Sequence, residues 1–290
     1  MNSDSFELEI SGPGDLYRDF CLWDYSPAAL VTGKLRSINL LHASFAAAGD
    51  DGALRAACND VRTAVGDFNT VWGVKLVDGR LSWELYFYDY RRQQRKVSIP
   101  RVLAALDPDG RCDLSPPEGR PYFLFSIDLD ADLVSGRRSI EQIDIYLGNV
   151  GSSLSSGICY GLTAAGLDLR NFYFFFDFQR QRDESLDKIA HSAFVDPQFF
   201  DPDSLVWPEL RCCSTLVVAN KRTNDAVYFT RVGVDALLSF LQRLDYPRSL
   251  VEFVISQRGR LDHLRYDLAL DFRMEEGQMN LLKSSFYGYF

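Results

Sequence analysis

Four stretches of the chain alternate between apolar and largely polar residues, and the polar positions carry the reactive side chains. In residues 81–90 one parity holds Trp83, Leu85 and Phe87, while the other holds Ser82, Glu84, Tyr86 and Tyr88. In 140–148, Ile143, Ile145 and Leu147 oppose Gln142, Asp144 and Tyr146. In 169–178, Phe172, Phe174 and Phe176 oppose Asn171, Tyr173 and Phe175. The last stretch puts Lys283, Ser285, Tyr287 and Tyr289 on one side. Successive strand residues point to opposite faces, so each strand has one dry face and one lined with phenols, carboxylates and occasional lysines. Enclosed, such a face suits a small aromatic ligand. Read conservatively, Lys75 and Lys283 are internal ion-pair partners of Glu84 and Asp267, and the tyrosines fill space.

These positions need a frame. Ten strands are expected as five pairs: 71–77 with 81–90, 122–129 with 140–148, 157–165 with 169–178, 214–220 with 225–232, and 264–272 with 280–289. Asp78-Gly79 and Glu276-Gly277 mark two of the turns. Apolar steps of three and four predict helices over 51–65, 98–106, 183–194, 234–244 and 249–256. In the first 50 residues, 35–41 reads as an extra strand and 16–23 as a short helix. Segments 107–121 and 195–210 read as loops, the second because its three prolines exclude regular structure. Helices between the pairs would cover the dry faces. Ten antiparallel strands tend to close and so remove their edges, and a barrel that wide encloses a lumen. The fold class is therefore α+β: a ten-stranded antiparallel barrel ringed by helices, one domain over 1–290 with 1–50 divergent.

The 290 residues carry a net charge of −9. This argues against a nucleic-acid binder, which normally shows a basic footprint. No apolar run approaches a membrane span, and the opening residues lack a signal peptide's basic and apolar regions. A cytoplasmic monomer with free thiols is expected for the six scattered cysteines. Three histidines make a zinc site unpromising, and His42 and His263 read as core or surface residues. The basic run at 91–96 reads as a solvated turn that could also steer an anionic substrate. Hydrolase, zincin and nucleotide-binding signatures are missing.

Several stretches resemble the soluble aromatic prenyltransferases of the ABBA-barrel type. VWGVKLVDGRLSWELYFYDY resembles that family's first hairpin, IEQIDIYLGNVG its strand that reads aromatic-aromatic-Gly, and NFYFFF its Asn-x-Tyr-Phe stretch. STLVVANKRTNDAVYFTRV resembles the fourth hairpin, and NLLKSSFYGYF the closing strand with its lysine and paired tyrosines. The resemblance spans about residues 50–290 and is one of topology and short stretches. It implies a fold of repeated αββα units. It also implies transfer of an allylic group from dimethylallyl or geranyl diphosphate to an aromatic small molecule or peptide side chain. On that reading Lys75, Lys283, Arg231 and Asn171 bind diphosphate. Tyr86, Tyr146, Tyr173, Tyr228 and Tyr287 shield the cation and hold the acceptor, and Glu84, then Asp144, is the base. No cofactor is required; Mg²⁺ is an optional bridge to the diphosphate. The chain departs from the family at Glu84, where relatives carry arginine, and at Gln142, where they carry lysine. The alternatives are a tyrosine-lined barrel that binds an aromatic without catalysis, or the same fold put to another reaction.

Overall fold

The computed structural model describes residues 6–50, 52–90, 97–107, 112–114, 122–148 and 155–290. Ten strands form one closed antiparallel barrel: β1 (Thr70–Val77), β2 (Arg80–Tyr88), β3 (Leu124–Leu129), β4 (Ile143–Gly148), β5 (Ser156–Thr163), β6 (Gly166–Asp177), β7 (Thr215–Lys221), β8 (Asp225–Val232), β9 (Tyr266–Glu275) and β10 (Gln278–Tyr289). Each strand pairs with its sequence neighbours, and β10 returns to β1 to close the ring. The polar strand faces therefore line a lumen, and the dry faces look outward.

Helices cover the dry faces. Seven are present among the described residues: α1 (Ile38–Ala47), α2 (Ala53–Val65), α3 (Ile99–Leu106), the one-turn α4 (Ala131–Val134), α5 (Arg182–Ala190), α6 (Val234–Arg243) and α7 (Arg248–Leu261). In α2 the buried residues are Leu54, Cys58, Val61 and Val65, one stripe of a 3.6-residue period. Asp50 accepts from the amides of Gly52 and Leu54 and so satisfies the exposed start of that helix. The outer core between helices and barrel contains Trp72, Trp83, Phe87, Phe125, Phe229, Phe240 and Phe286. Trp72 on β1 packs over Gly288 on β10, where a Cβ would stand 2.3 Å from the indole. The proline-rich 195–210 region contains only two 3₁₀ turns, Pro202–Leu205 and Pro208–Leu210.

Two expectations for the N-terminal region fail. Residues 35–41 are not a strand: Ile38 begins α1, and Leu35 makes only an isolated bridge to Ile10. Every residue from Ile38 to Phe45 is buried, so α1 has no wet face and its sequence shows no helical stripe. Residues 16–23 are not a helix but an irregular segment with one bridge, Arg18 to Asp24. The basic run at 91–96 lies outside the described residues, as does most of loop 107–121. No helix among the described residues is long and apolar enough to cross a membrane.

Candidate functional site

Strand parity brings the five predicted tyrosines together. Their rings form a belt inside the barrel: centroids are 5.9 Å apart from Tyr86 to Tyr287, 6.1 Å from Tyr287 to Tyr228, 6.1 Å from Tyr228 to Tyr173, and 5.9 Å from Tyr173 to Tyr146. Gly73 on β1 makes the belt possible, because a Cβ there would stand 2.8 Å from the Tyr287 ring. Burial raises all five phenols well above their ordinary pKa, so they remain neutral rings with polar tips. Asn171 donates to the Tyr173 hydroxyl at 2.9 Å.

On one side of the belt lies an ionic layer in two clusters. On the β1–β3 wall, Lys75 Nζ contacts Glu84 Oε2 at 2.8 Å and also pairs with Asp128. On the β7–β10 wall, Asp271 takes Lys221 at 2.5 Å and Lys283 at 3.3 Å, and accepts from Asn224 at 3.0 Å. Burial works against each of these charges, but the partners outweigh it in most cases. Glu84 is held at about 2 by Lys75, Asp271 below the usual carboxylate range by Lys221 and Lys283, and Lys75 well above its ordinary value by Glu84 and Asp128. Lys283 is the exception. Burial first and the neighbouring Lys221 second bring it down to about 8. Asp144 moves the other way: burial and then the charge of Glu84 raise it to about 7. Gln142 donates to Asp144 Oδ1 at 2.6 Å and accepts from Arg170.

Two further residues of this layer, Lys221 and Arg170, escape the sequence reading. Lys221 continues the parity of Val217 and Ala219, one residue past the end that the sequence pattern predicts for its strand. Arg170 carries no sequence signal. It is the extra residue of a β-bulge where Cys159 pairs with Asn171 but Tyr160 pairs with Leu169. The bulge turns its guanidinium inward over Gly161, where a Cβ would stand 2.6 Å from Nε.

Arg231 does not stand with the lysines. It follows Tyr228 on β8 and lies beside Asp267, at the barrel end past the belt from Lys221, and a second bulge between Phe229 and Val232 gives it a φ of 60°. There its Nε donates to Asp19 Oδ2 at 2.9 Å. Asp267 is at that end too, accepting from backbone amides, so it is not the partner of Lys283. Beyond the belt on this side lies a cavity of about 190 Å³, walled by Phe20, Trp23, Phe123, Tyr146, Tyr173 and Phe175 among others. His42 and His263 lie outside the lumen in buried positions. A scan of the chain against protein-family models finds no match, and a search of curated proteins finds none either.

Proposed function

We propose that the protein is a soluble aromatic prenyltransferase built on αββα units, moving an allylic group from a prenyl diphosphate to an aromatic acceptor. The observation that carries this reading is the order along the barrel axis: a lysine-bearing layer, a belt of five tyrosines, then an uncharged aromatic cavity. The diphosphate is held by Lys221 and Lys283, with Asn171 and Lys75 beside them, where cationic donors favour the charge that develops on the leaving group. The allylic C–O bond breaks, and the electron pair leaves on the diphosphate oxygen. The resulting carbocation faces the tyrosine rings, whose quadrupoles stabilise it, and the walls keep water from it. An acceptor ring carbon forms the new C–C bond and loses its proton.

Both carboxylates stand on the lysine side of the belt and neither lines the cavity, so the proton has to cross the belt to reach one; of the two, Asp144 suits it better than Glu84. A base with a pKa of about 7 is matched to neutral solution, whereas Glu84 at about 2 is committed to Lys75. The donor set does not fit a protein-held Mg²⁺. Glu84 is bonded to Lys75, Asp144 keeps its proton close to neutrality, and no group of three metal-ligating side chains comes together among the described residues. No step is routed through the metal.

The test is mass spectrometry of products from dimethylallyl and geranyl diphosphates with a panel of indoles, phenols and aromatic peptides. A mass gain on an acceptor is expected, reduced at least 100-fold in Lys283→Ala and in Lys221→Ala. A lack of transfer combined with no diphosphate-induced rise in melting temperature overturns the reading. It would then favour a barrel that binds aromatics without chemistry, for which the carboxylate-rich β1–β4 wall is the supporting observation.

A further inference from the structure

The mouth of the barrel at the Arg231 end is partly covered by the chain itself. The turn from Asp19 to Trp23 dips into it, and the Phe20 ring lies parallel to that of Tyr228, with centroids 5.9 Å and planes 5° apart. Phe20 is also 5.9 Å from the ring of Tyr287. The turn is anchored from several sides. Asp19 Oδ1 accepts from the amides of Cys21 and Trp23, each at 3.0 Å, while its other oxygen takes Arg231. Asp267 accepts from the Phe20 amide at 2.7 Å and from the Arg231 amide at 2.9 Å. Tyr88 donates to the Phe20 carbonyl, and Tyr90 to that of Cys21 at 2.7 Å. Leu22 takes a φ of 57°, a conformation that a leucine holds only where its surroundings impose it.

This turn sets the size of the cavity. The space left between it and the tyrosine belt is about 190 Å³, and none of the described residues lining it is charged. An apolar protein cavity of about 150 Å³ holds one benzene ring. The extra volume accommodates a second fused ring. The position stacked on Tyr228, where a third ring would extend, is already taken by Phe20. An ionised ligand would lose its hydration there without gaining a counter-charge.

We propose that Phe20 is a size-determining residue for the acceptor, and that the site takes a neutral, flat aromatic of one or two rings. This rests on the reading of the lumen as a prenyl-transfer site, but its test does not need transfer. Binding of 2-naphthol, 2-naphthoate and 9-phenanthrol is measured without diphosphate, by quenching of protein fluorescence, in the wild type, Phe20→Ala and Phe20→Leu. The wild type is expected to bind 2-naphthol at least tenfold more tightly than either of the others. Phe20→Ala should bind 9-phenanthrol at least tenfold more tightly than the wild type does, Phe20→Leu should gain less, and 2-naphthoate should stay weak throughout. The leucine variant decides the matter if the alanine variant does not fold. Unchanged ratios in the variants, or no binding of 2-naphthol to the wild type, overturn the proposal. Selectivity that follows Phe20 with neither transfer nor diphosphate-induced stabilisation would sink the transferase reading and leave the size assignment standing. Transfer that ignores Phe20 would do the reverse.

Discussion

Lys75 has two carboxylates to itself, whereas Lys221 and Lys283 share one. The two walls of the ionic layer thus use the same residue types in opposite ratios. The β1–β4 wall is over-supplied with acid, and its third carboxyl, Asp144, responds by keeping its proton to about pH 7. The β7–β10 wall is over-supplied with base, and Lys283 responds by releasing its proton from about pH 8. Each wall relieves its own excess charge through one soft titrating group. An incoming anion should therefore seek the β7–β10 wall, where it supplies the missing negative charge and pushes Lys283 back to full protonation.

The most severe way to break the contrast is Asp271→Asn. It leaves two partly buried ammonium groups without their shared, buried anion, and removing one partner of a fully buried pair costs about 3–5 kcal/mol, an upper bound here. Urea unfolding at pH 7 should show that loss. The matching change Glu84→Gln leaves Lys75 with Asp128 and should cost less. Equal costs would mean that the walls do not differ as described.

Asp144→Asn should act in the opposite direction. The Asp144 carboxyl titrates at 3.8 in the unfolded chain and at about 7 in the folded one. Between those values the unfolded chain has released its proton and the folded one has not. Stability contributed by the protonated group is thus present at low pH, declines as pH rises through the window, and is gone above about 7. Asparagine removes the slope. At pH 8 the variant should be more stable than the wild type by ~4 kcal/mol, since each pH unit between the two values is worth about 1.36 kcal/mol. A parallel pH profile for the two proteins would refute the assignment.

A finer test joins the two carboxylates on the acid wall. Because the charge of Glu84 helps to raise Asp144, Glu84→Gln should lower the Asp144 titration midpoint from about 7 toward the ordinary carboxylate range. Carbon-detected NMR of the carboxyl would follow it, and an unmoved midpoint would separate the two groups electrically.

What is legible in the sequence is what strand parity controls. Glu84 with Tyr86, Asp144 with Tyr146, Asn171 with Tyr173 and Lys283 with Tyr287 share faces because a two-residue period leaves no other arrangement once Trp83, Ile145, Phe172 and Phe286 turn outward. Ten strands in five pairs, several of them with one dry face, also make a closed barrel readable. Parity fails where a bulge inserts a residue. Arg170 is thereby hidden, since an inserted residue depends on the partner strand's register and leaves no local trace. Arg231 joins the diphosphate set through the resemblance alone, although it follows Tyr228 on its strand and so lies past the belt from Lys221. The turn at Phe20 is unreadable for another reason. Its anchors, Tyr88, Arg231 and Asp267, lie far away along the chain, and no local pattern announces them.

The seam between β1 and β10 has a consequence for assembly. Gly73 admits Tyr287 on the inside, and Gly288 admits Trp72 on the outside, at adjacent register positions. Thr70 and Phe290 exchange backbone hydrogen bonds at 3.2 and 2.8 Å at the end of the same seam. A slip of one residue would drive a large ring into backbone on both faces, so the seam works as a key that fits one way. Its two strands are also the most distant pair in the chain, and such contacts form late because the intervening loop must be closed first. Until then the ten strands are an open sheet with two bare edges, β1 and β10. Nothing exists to be filled, plugged or charged until the last strand turns the key.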